Sequence, residues 1–245
     1  MRVVALIIST FILFSGCQKH QLNDCYSGAG DRVSHMRPLN NFNKITISDR
    51  FSLVLVPDTA HFVVITGGEN LMPGISTEIN EGGLFIENQN TCNFVRSFDQ
   101  DLIVEVHVSE LNELNVFADV SVRTKDTLKG SSLSLYSESL NDLSLTIEYD
   151  EFFIETVNSC RVDVAGNVRA FKGQIQDITD LHAFDLNAKE VLIDFHTPLD
   201  CFINATELIF VNITNSGNVF YLNEPTKAKI LNSREGDGNL LLWEQ

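Results

Sequence analysis

The sequence predicts an all-β fold, a β-solenoid preceded by a β-hairpin-rich N-terminal module. Three observations carry this expectation. Apolar and polar residues alternate with period two along much of the chain, the pattern of half-buried strands. No window of useful length holds the i, i+3, i+4 spacing of an amphipathic helix. From about Leu111 onward, segments resemble one another at intervals of roughly 17–22 residues, a period that marks a solenoid.

The first 16 residues read as a leader. Arg2 supplies a small positive region, and Val3 to Phe14 is an apolar run. That run is shorter than the ~20 residues a spanning helix needs, and it suits the apolar region of a secretory signal. It ends in Phe14-Ser15-Gly16-Cys17. Small residues followed directly by Cys resemble the lipobox of a bacterial lipoprotein, although leucine is commoner where Phe14 stands. The resemblance implies a mature chain that begins at Cys17, carries diacylglycerol on its sulfur and is held at a membrane by several acyl chains. Residues 17–40 are polar, with Gly28, Gly30 and Pro38, and read as the lipidated Cys, a tether and an ordered lead-in.

Residues 41–110 form the expected N-terminal β module. Ile45-Thr46-Ile47, Phe51 to Val56 and Phe62 to Thr66 are short strands, separated by the turn sequences Ser48-Asp49 and Pro57-Asp58-Thr59. Ile75 to Ile79 and Leu84 to Glu87 flank Asn80-Glu81-Gly82-Gly83, which reads as a hairpin whose glycines supply positive φ. Gly67-Gly68 reads as turn chemistry, and Leu102 to Val108 alternates again. The module looks antiparallel.

Residues 111–245 carry the repeat. Its members begin at Leu114, Leu133, Phe152, Gln174, Val191, Leu208 and Ala228, each a short alternating strand, a polar corner and a second short strand. One such coil cannot bury its own apolar side chains. Stacked coils bury them in a column and pair every strand with the coil above and below. Leu133, Leu135, Leu143, Leu145, Ile147, Val162, Val164, Ile193, Ile203, Ile209, Val211 and Ile213 should then point inward. Asp119, Asn141, Asp142, Asn158, Asp180, Asp200 and Asn215 should mark corners, where Asn and Asp tolerate left-handed backbone.

After Cys17, four cysteines remain, which permit three full pairings in an oxidising compartment. In the coil register Cys160 and Cys201 fall two coils apart, roughly 10 Å at ~4.8 Å per coil and beyond disulfide reach. Both should be unpaired, which leaves Cys25 and Cys92 as the candidate bridge. No CxxC and no Cys/His spacing of the zinc type occurs, and the six histidines are scattered, so neither a metal site nor a cofactor is expected.

The formal net charge is −16, and loss of Arg2 with the leader leaves 33 acidic against 16 basic side chains. Such a chain is repelled by nucleic acid, which excludes that class of partner.

Several phrases resemble a known family. Phe42 to Phe51, then LVLVPD and GGENLMPGISTEI…GGLFIEN, look like the opening hairpins of the family of putative auto-transporter adhesins, head GIN domain. Asn90 to Ser97 resembles a Cys-containing segment of one branch. Asn215-Ser216-Gly217-Asn218, then Tyr221…Pro225 and Gly236-Asp237-Gly238-Asn239, resemble the family's closing phrase, with Asn223 where Gly is usual. The resemblance covers about residues 40–245 and implies a secreted, right-handed, parallel β-helix-like fold. It imports no catalytic site. Most corners lack the family's Ser-Gly repeats, which weakens any ligand shared through those corners.

Catalytic readings draw on few residues. A polysaccharide-active β-helix needs carboxylates converging on one face. The candidates are Asp163, Asp185, Asp194 and Asp200, with Arg161 and Lys189. Asp99, Asp101, Glu105 and His107 form a possible metal patch, a pattern that solvated strand edges also give. No GxSxG elbow, P-loop or dinucleotide-binding glycine pattern is present. Asn204-Ala205-Thr206 and Asn212-Ile213-Thr214 fit the N-glycosylation pattern, a coincidence in a bacterial lipoprotein.

The expectation is therefore a non-catalytic, lipid-anchored envelope protein, attached to the outer membrane, that binds or adheres to a glycan or protein. A polysaccharide-active enzyme and a purely structural envelope protein are the alternatives. The membrane face stays open, although Gln18-Lys19-His20-Gln21 lacks an acidic export run, which favours the periplasmic side.

Overall fold

The computed structural model of the chain describes residues 28–90, 102–138, 140–226 and 235–244. It is a β-solenoid of about six turns with almost no helix, as the sequence predicts. The strands are β1 (Arg32–Pro38), β2 (Lys44–Ile47), β3 (Ser52–Pro57), β4 (Phe62–Gly68), β5 (Ile75–Asn80), β6 (Gly83–Asn88), β7 (Ile103–Val108) and β8 (Glu113–Val116). They continue as β9 (Ser121–Thr124), β10 (Leu128–Glu138), β11 (Asn141–Val157), β12 (Ser159–Gln176) and β13 (Ile178–His196). β14 (Cys201–Ile213), β15 (Val219–Tyr221) and β16 (Leu240–Leu242) complete the set, with one 3-10 turn at Glu69–Gly74.

The coil has three faces. On face A, β7, β3, β9 and the first residues of β11 to β14 stack in parallel, followed by β15 and β16. Face B holds Leu128, Ile147, Gly166 and Leu186 in successive coils. Face C stacks β6, β2, β8, β10 and the later residues of β11 to β14. The register slips between Asp163 and Gly166, and again between Ala183 and Ala188, so the chain turns there from face A to face B. Gly166 has φ +117°, and a Cβ on it would lie 1.9 Å from the Ile147 carbonyl oxygen, so only glycine fits.

All twelve residues expected to point inward are buried. The same column holds the largest side chains, with Phe152 stacked on Phe171 at 5.4 Å and Phe195 nearby in the core. One interior corner is polar and satisfies itself. Asn141 Nδ2 donates to Ser137 Oγ (2.8 Å), while Asn141 Oδ1 accepts the Val120 N–H (3.0 Å). Thr179 Oγ1 lies 2.7 Å from the Gln176 carbonyl and 2.9 Å from Thr156 Oγ1. Buried polar groups persist only when paired in this way. Asn141 is thus a core residue and not an exposed corner. Asn158 does adopt the left-handed conformation (φ +69°), and so does Asp177 (φ +52°), which the sequence reading passed over.

The N-terminal region differs from an antiparallel module. β2 and β3 do not pair with each other. β2 lies between β6 and β8, and β3 between β7 and β9, all in parallel. The chain enters the stack on its second coil, drops to the first, then passes on to the third. Ile45 therefore sits on Leu114 and Leu53 on Val122, so the sheet runs unbroken across residue 110. The β5–β6 hairpin forms as expected, with Glu81 and Gly82 at positive φ. Gly67 and Gly68 end β4 instead of making a turn. At Gly68 a Cβ would sit 2.2 Å from the Ala29 carbonyl, so glycine lets the lead-in pass. That lead-in is β1, antiparallel to β4, which is in turn antiparallel to β7.

Arg37 closes the base. Its guanidinium donates to the Ile75 carbonyl (2.6 Å), the Met72 carbonyl (3.0 Å) and Thr77 Oγ1 (3.2 Å). Burial lowers its pKa from the ordinary value, yet it serves the carbonyls ending the 3-10 turn.

Candidate binding surface

Outward residues of face A form columns, because strand pairing stacks like positions of successive coils. One column runs Arg123, Ser144, Asp163, His182, Phe202, Phe220 and Leu241. It begins polar and becomes aromatic over the last coils. His182 stacks on Phe202 at 5.0 Å and Phe202 on Phe220 at 5.6 Å, with planes 24° and 15° apart. Phe184 meets Phe202 edge-on at 5.2 Å. Trp243 closes back across the coils and touches Phe184, Phe202 and Phe220 at 5.7, 5.6 and 5.3 Å, near perpendicular to the latter two. These geometries are the favoured ones for aromatic pairs. Trp243 remains 39% exposed, and Leu241 and Leu242 beside it are also exposed.

Polar groups frame this strip. His182 Nε2 lies 2.7 Å from Asp180 Oδ1 at its lower end. An asparagine ladder runs along its flank: Asn187 Nδ2 donates to Asn167 Oδ1 (3.3 Å), Asn204 Nδ2 to Asn187 Oδ1 (3.1 Å) and Asn223 Nδ2 to Asn204 Oδ1 (2.9 Å). Stacked rings with a polar rim make this strip the candidate contact surface. Among the described residues, no nucleophile and base converge on it.

The carboxylates that the sequence offered for catalysis are spread over the solenoid. Asp163 pairs with Arg161 on face A (3.0 Å). Asp185 is exposed where face A turns to face B, and Lys189 on face B lies 4.0 Å from Glu207. Asp194 on face C accepts from Asn212 (3.1 Å), and Asp200 at the next corner accepts from the backbone of Asn218 (2.8 Å). Glu105 pairs with Lys125 at 3.7 Å. His107 stacks on Phe62 at 3.8 Å and bonds to Asp58 at 2.9 Å, which holds the Asp58 carboxyl below its usual range. No group of metal-ligating side chains occurs among the described residues. Asp99, Asp101, Cys17, Cys25 and Cys92 lie outside them.

Cys160 and Cys201 are free and buried. Their positions in the coil differ, since Cys160 stands beside Thr179 and Cys201 beside Leu181. Burial pushes the Cys160 thiol up to about 11 and the Cys201 thiol higher, so neither is a reactive thiolate.

Asn215 to Asn218 is a structural corner. A Cβ on Gly217 would lie 2.0 Å from the Leu199 carbonyl oxygen, so glycine permits the close stacking of corners. Asn218 N–H donates to Asp200 Oδ1 and Asn239 N–H to Asn218 Oδ1 (3.1 Å), which engages the polar groups between coils.

The aromatic strip was not singled out by sequence. Its signal is the register of Cys201-Phe202-Ile203 with Val219-Phe220-Tyr221, invisible until the coils are aligned.

Solved structures share this fold. One of a putative adhesin from Bacteroides fragilis superposes with TM-score 0.78 at 18% identity, covering 87% of this chain and 97% of its own. A putative adhesin from Parabacteroides distasonis gives 0.69 at 17%, covering 88% and 98%. A putative lipid binding protein from the same species gives 0.64 at 19%, covering 89% and 98%. No curated protein matches. The family profile described as putative auto-transporter adhesin, head GIN domain, matches residues 41–225, most of the chain, and the protein belongs to that family.

Proposed function

We propose that this protein is a non-catalytic binding or adhesion module of the bacterial cell envelope, lipid-anchored through Cys17 to the outer membrane. Its contact surface is the aromatic strip of face A. That strip is the observation that carries the reading: four rings from Phe184, Phe202, Phe220 and Trp243 gathered on the outside of a solenoid whose core is already full. Exposed aromatic clusters with a polar rim mark interaction sites. The ligand is a glycan or protein offering a flat apolar face to the indole. The family and the names of its structural relatives, adhesins and a lipid binding protein, support a binding role. The leader and Cys17 support anchoring. No helix among the described residues is long and apolar enough to cross a membrane.

Two experiments test this. In cells, the protein should incorporate labelled fatty acid and Cys17→Ala should abolish that labelling; an unlabelled parent protein would refute the anchor. Incubation with acidic polysaccharides should yield no products. Turnover that Asp194→Ala or Asp200→Ala abolishes would refute the non-catalytic reading.

A further inference from the structure

A second surface lies at the corner where face C turns into face A, beside the lower end of the aromatic strip. Ser159 and Ile178 are register partners, and Leu140 immediately precedes Asn141, the partner of Cys160. Leu140, Ser159 and Ile178 thus hold the same place on three successive coils, in two of them just after the left-handed residues Asn158 and Asp177. The backbone turns each of these side chains outward. Leu140 is 65% exposed and Ile178 56%, among the most exposed large apolar residues described. The small Ser159 between them leaves a notch. Concavities of about 620 and 590 Å³ open on either side of it, and both are lined by Leu140, Ser159 and Ile178. Together they form a saddle that crosses the corner along the direction of the strands.

The rim of this saddle is acidic. On the face A side stand Asp119, Asp142 and Asp180 with Arg50 and Arg161. Arg50 is engaged by Asp119 (2.7 Å) and Arg161 by Asp163 (3.0 Å), so negative charge is in excess at Asp142 and at Asp180, whose Oδ1 also lies 2.7 Å from His182 Nε2. Asp177 adds to it on the other side. We propose that the saddle docks an extended segment of a partner protein, with one apolar side chain over Ser159 and a lysine or arginine beside it. The stem of a basic side chain covers Leu140 and Ile178 while its head reaches Asp142 or Asp180. A second copy fits poorly, because the chain carries a net charge of −16 and would meet its own sign.

The test uses a fluorescent peptide, acetyl-Lys-Leu-Lys-Leu-Lys-amide, titrated with the mature protein at about 0.1 M salt and read by anisotropy. Its counterpart with Glu in place of Lys is the control. The basic peptide should bind saturably and the acidic one should not. Ser159→Trp, which fills the notch from outside, and Leu140→Asp with Ile178→Asp should each weaken binding roughly tenfold with unchanged melting temperature. Phe220→Ala should leave it unchanged, which separates this site from the aromatic strip. Equal binding of both peptides, no binding, or indifference to Ser159→Trp overturns the proposal. So does a dimer in sedimentation that Ser159→Trp abolishes, which would make the saddle a contact between copies.

Discussion

The first and last coils of this solenoid are built on the same inward columns but finish differently. At the base, the antiparallel strands β1, β4 and β5 flank the coil, and Arg37 ties the lead-in to the 3-10 turn. Outward residues there are mixed: Glu105 pairs with Lys125, Phe62 stacks on His107, and Met36 and Phe85 stay exposed singly. In the last coils the inward residues are equally apolar, while the outward ones become Phe202, Phe220 and Trp243. Stacking fixes what a coil must place inside and leaves the outside free to vary. The base uses that freedom for closure, and the last coils use it to gather aromatic rings, the surface proposed for contact.

Breaking what the two ends share should have the largest effect. Phe171→Ala removes a ring from the common core and should destabilise by about 3–5 kcal/mol, read in urea melts. Gly166→Ala, which forces a side chain against the Ile147 carbonyl at positive φ, should cost about 1–3 kcal/mol. Changes specific to one end should cost less. Arg37→Ala leaves carbonyls without their donor and should lose about 1–2 kcal/mol, with raised hydrogen exchange confined to β1 and β5. Trp243→Ala should cost about 1 kcal/mol through lost ring contacts, while removing binding. Exposed pairs such as Lys129 with Glu148 (2.6 Å) should matter least, under about 1 kcal/mol.

The pH profile sharpens the comparison. Hydrogen bonds and charges from Lys172 and Arg169 hold Glu151 below its usual range, His107 does so for Asp58, and Asn115 with Lys44 for Glu113. The folded state releases these protons more readily than the unfolded one. Their contribution is therefore complete above the usual carboxylate range and disappears as the pH falls through and below about 4. Burial raises the Cys160 thiol to about 11 and the Tyr149 hydroxyl to about 12. The unfolded chain ionises first at those groups, so stability should decline as the pH rises past about 9. Melting temperatures across pH 3–11 check both limbs; a profile still rising above about pH 9 would contradict the burial of these groups.

The inward columns were legible because a strand's period of two reports burial directly. What pairs with what was less legible. Alternation in Ile45-Thr46-Ile47 announces a strand but not that it lies between β6 and β8, since the stacking order of the first coils is not chain order. Asn141 reads as a corner residue by composition, yet pairing with Ser137 and Val120 carries it inside. The aromatic strip was hidden for a related reason. Phe202 and Phe220 each look like ordinary apolar strand residues, and only the register places them together outside. The carboxylates misled in the opposite sense, since their nearness in sequence distributes them over two faces and two corners.

The central claim is that the aromatic strip of the last coils is the contact surface. It is tested most directly by applying the mature protein and its Phe220→Ala/Trp243→Ala variant, at equal concentration, to one glycan array printed alongside envelope and extracellular-matrix proteins. The account predicts selective binding by the parent and loss of that binding in the variant, with the two sharing their far-ultraviolet circular dichroism. Undiminished binding by the folded variant would contradict it.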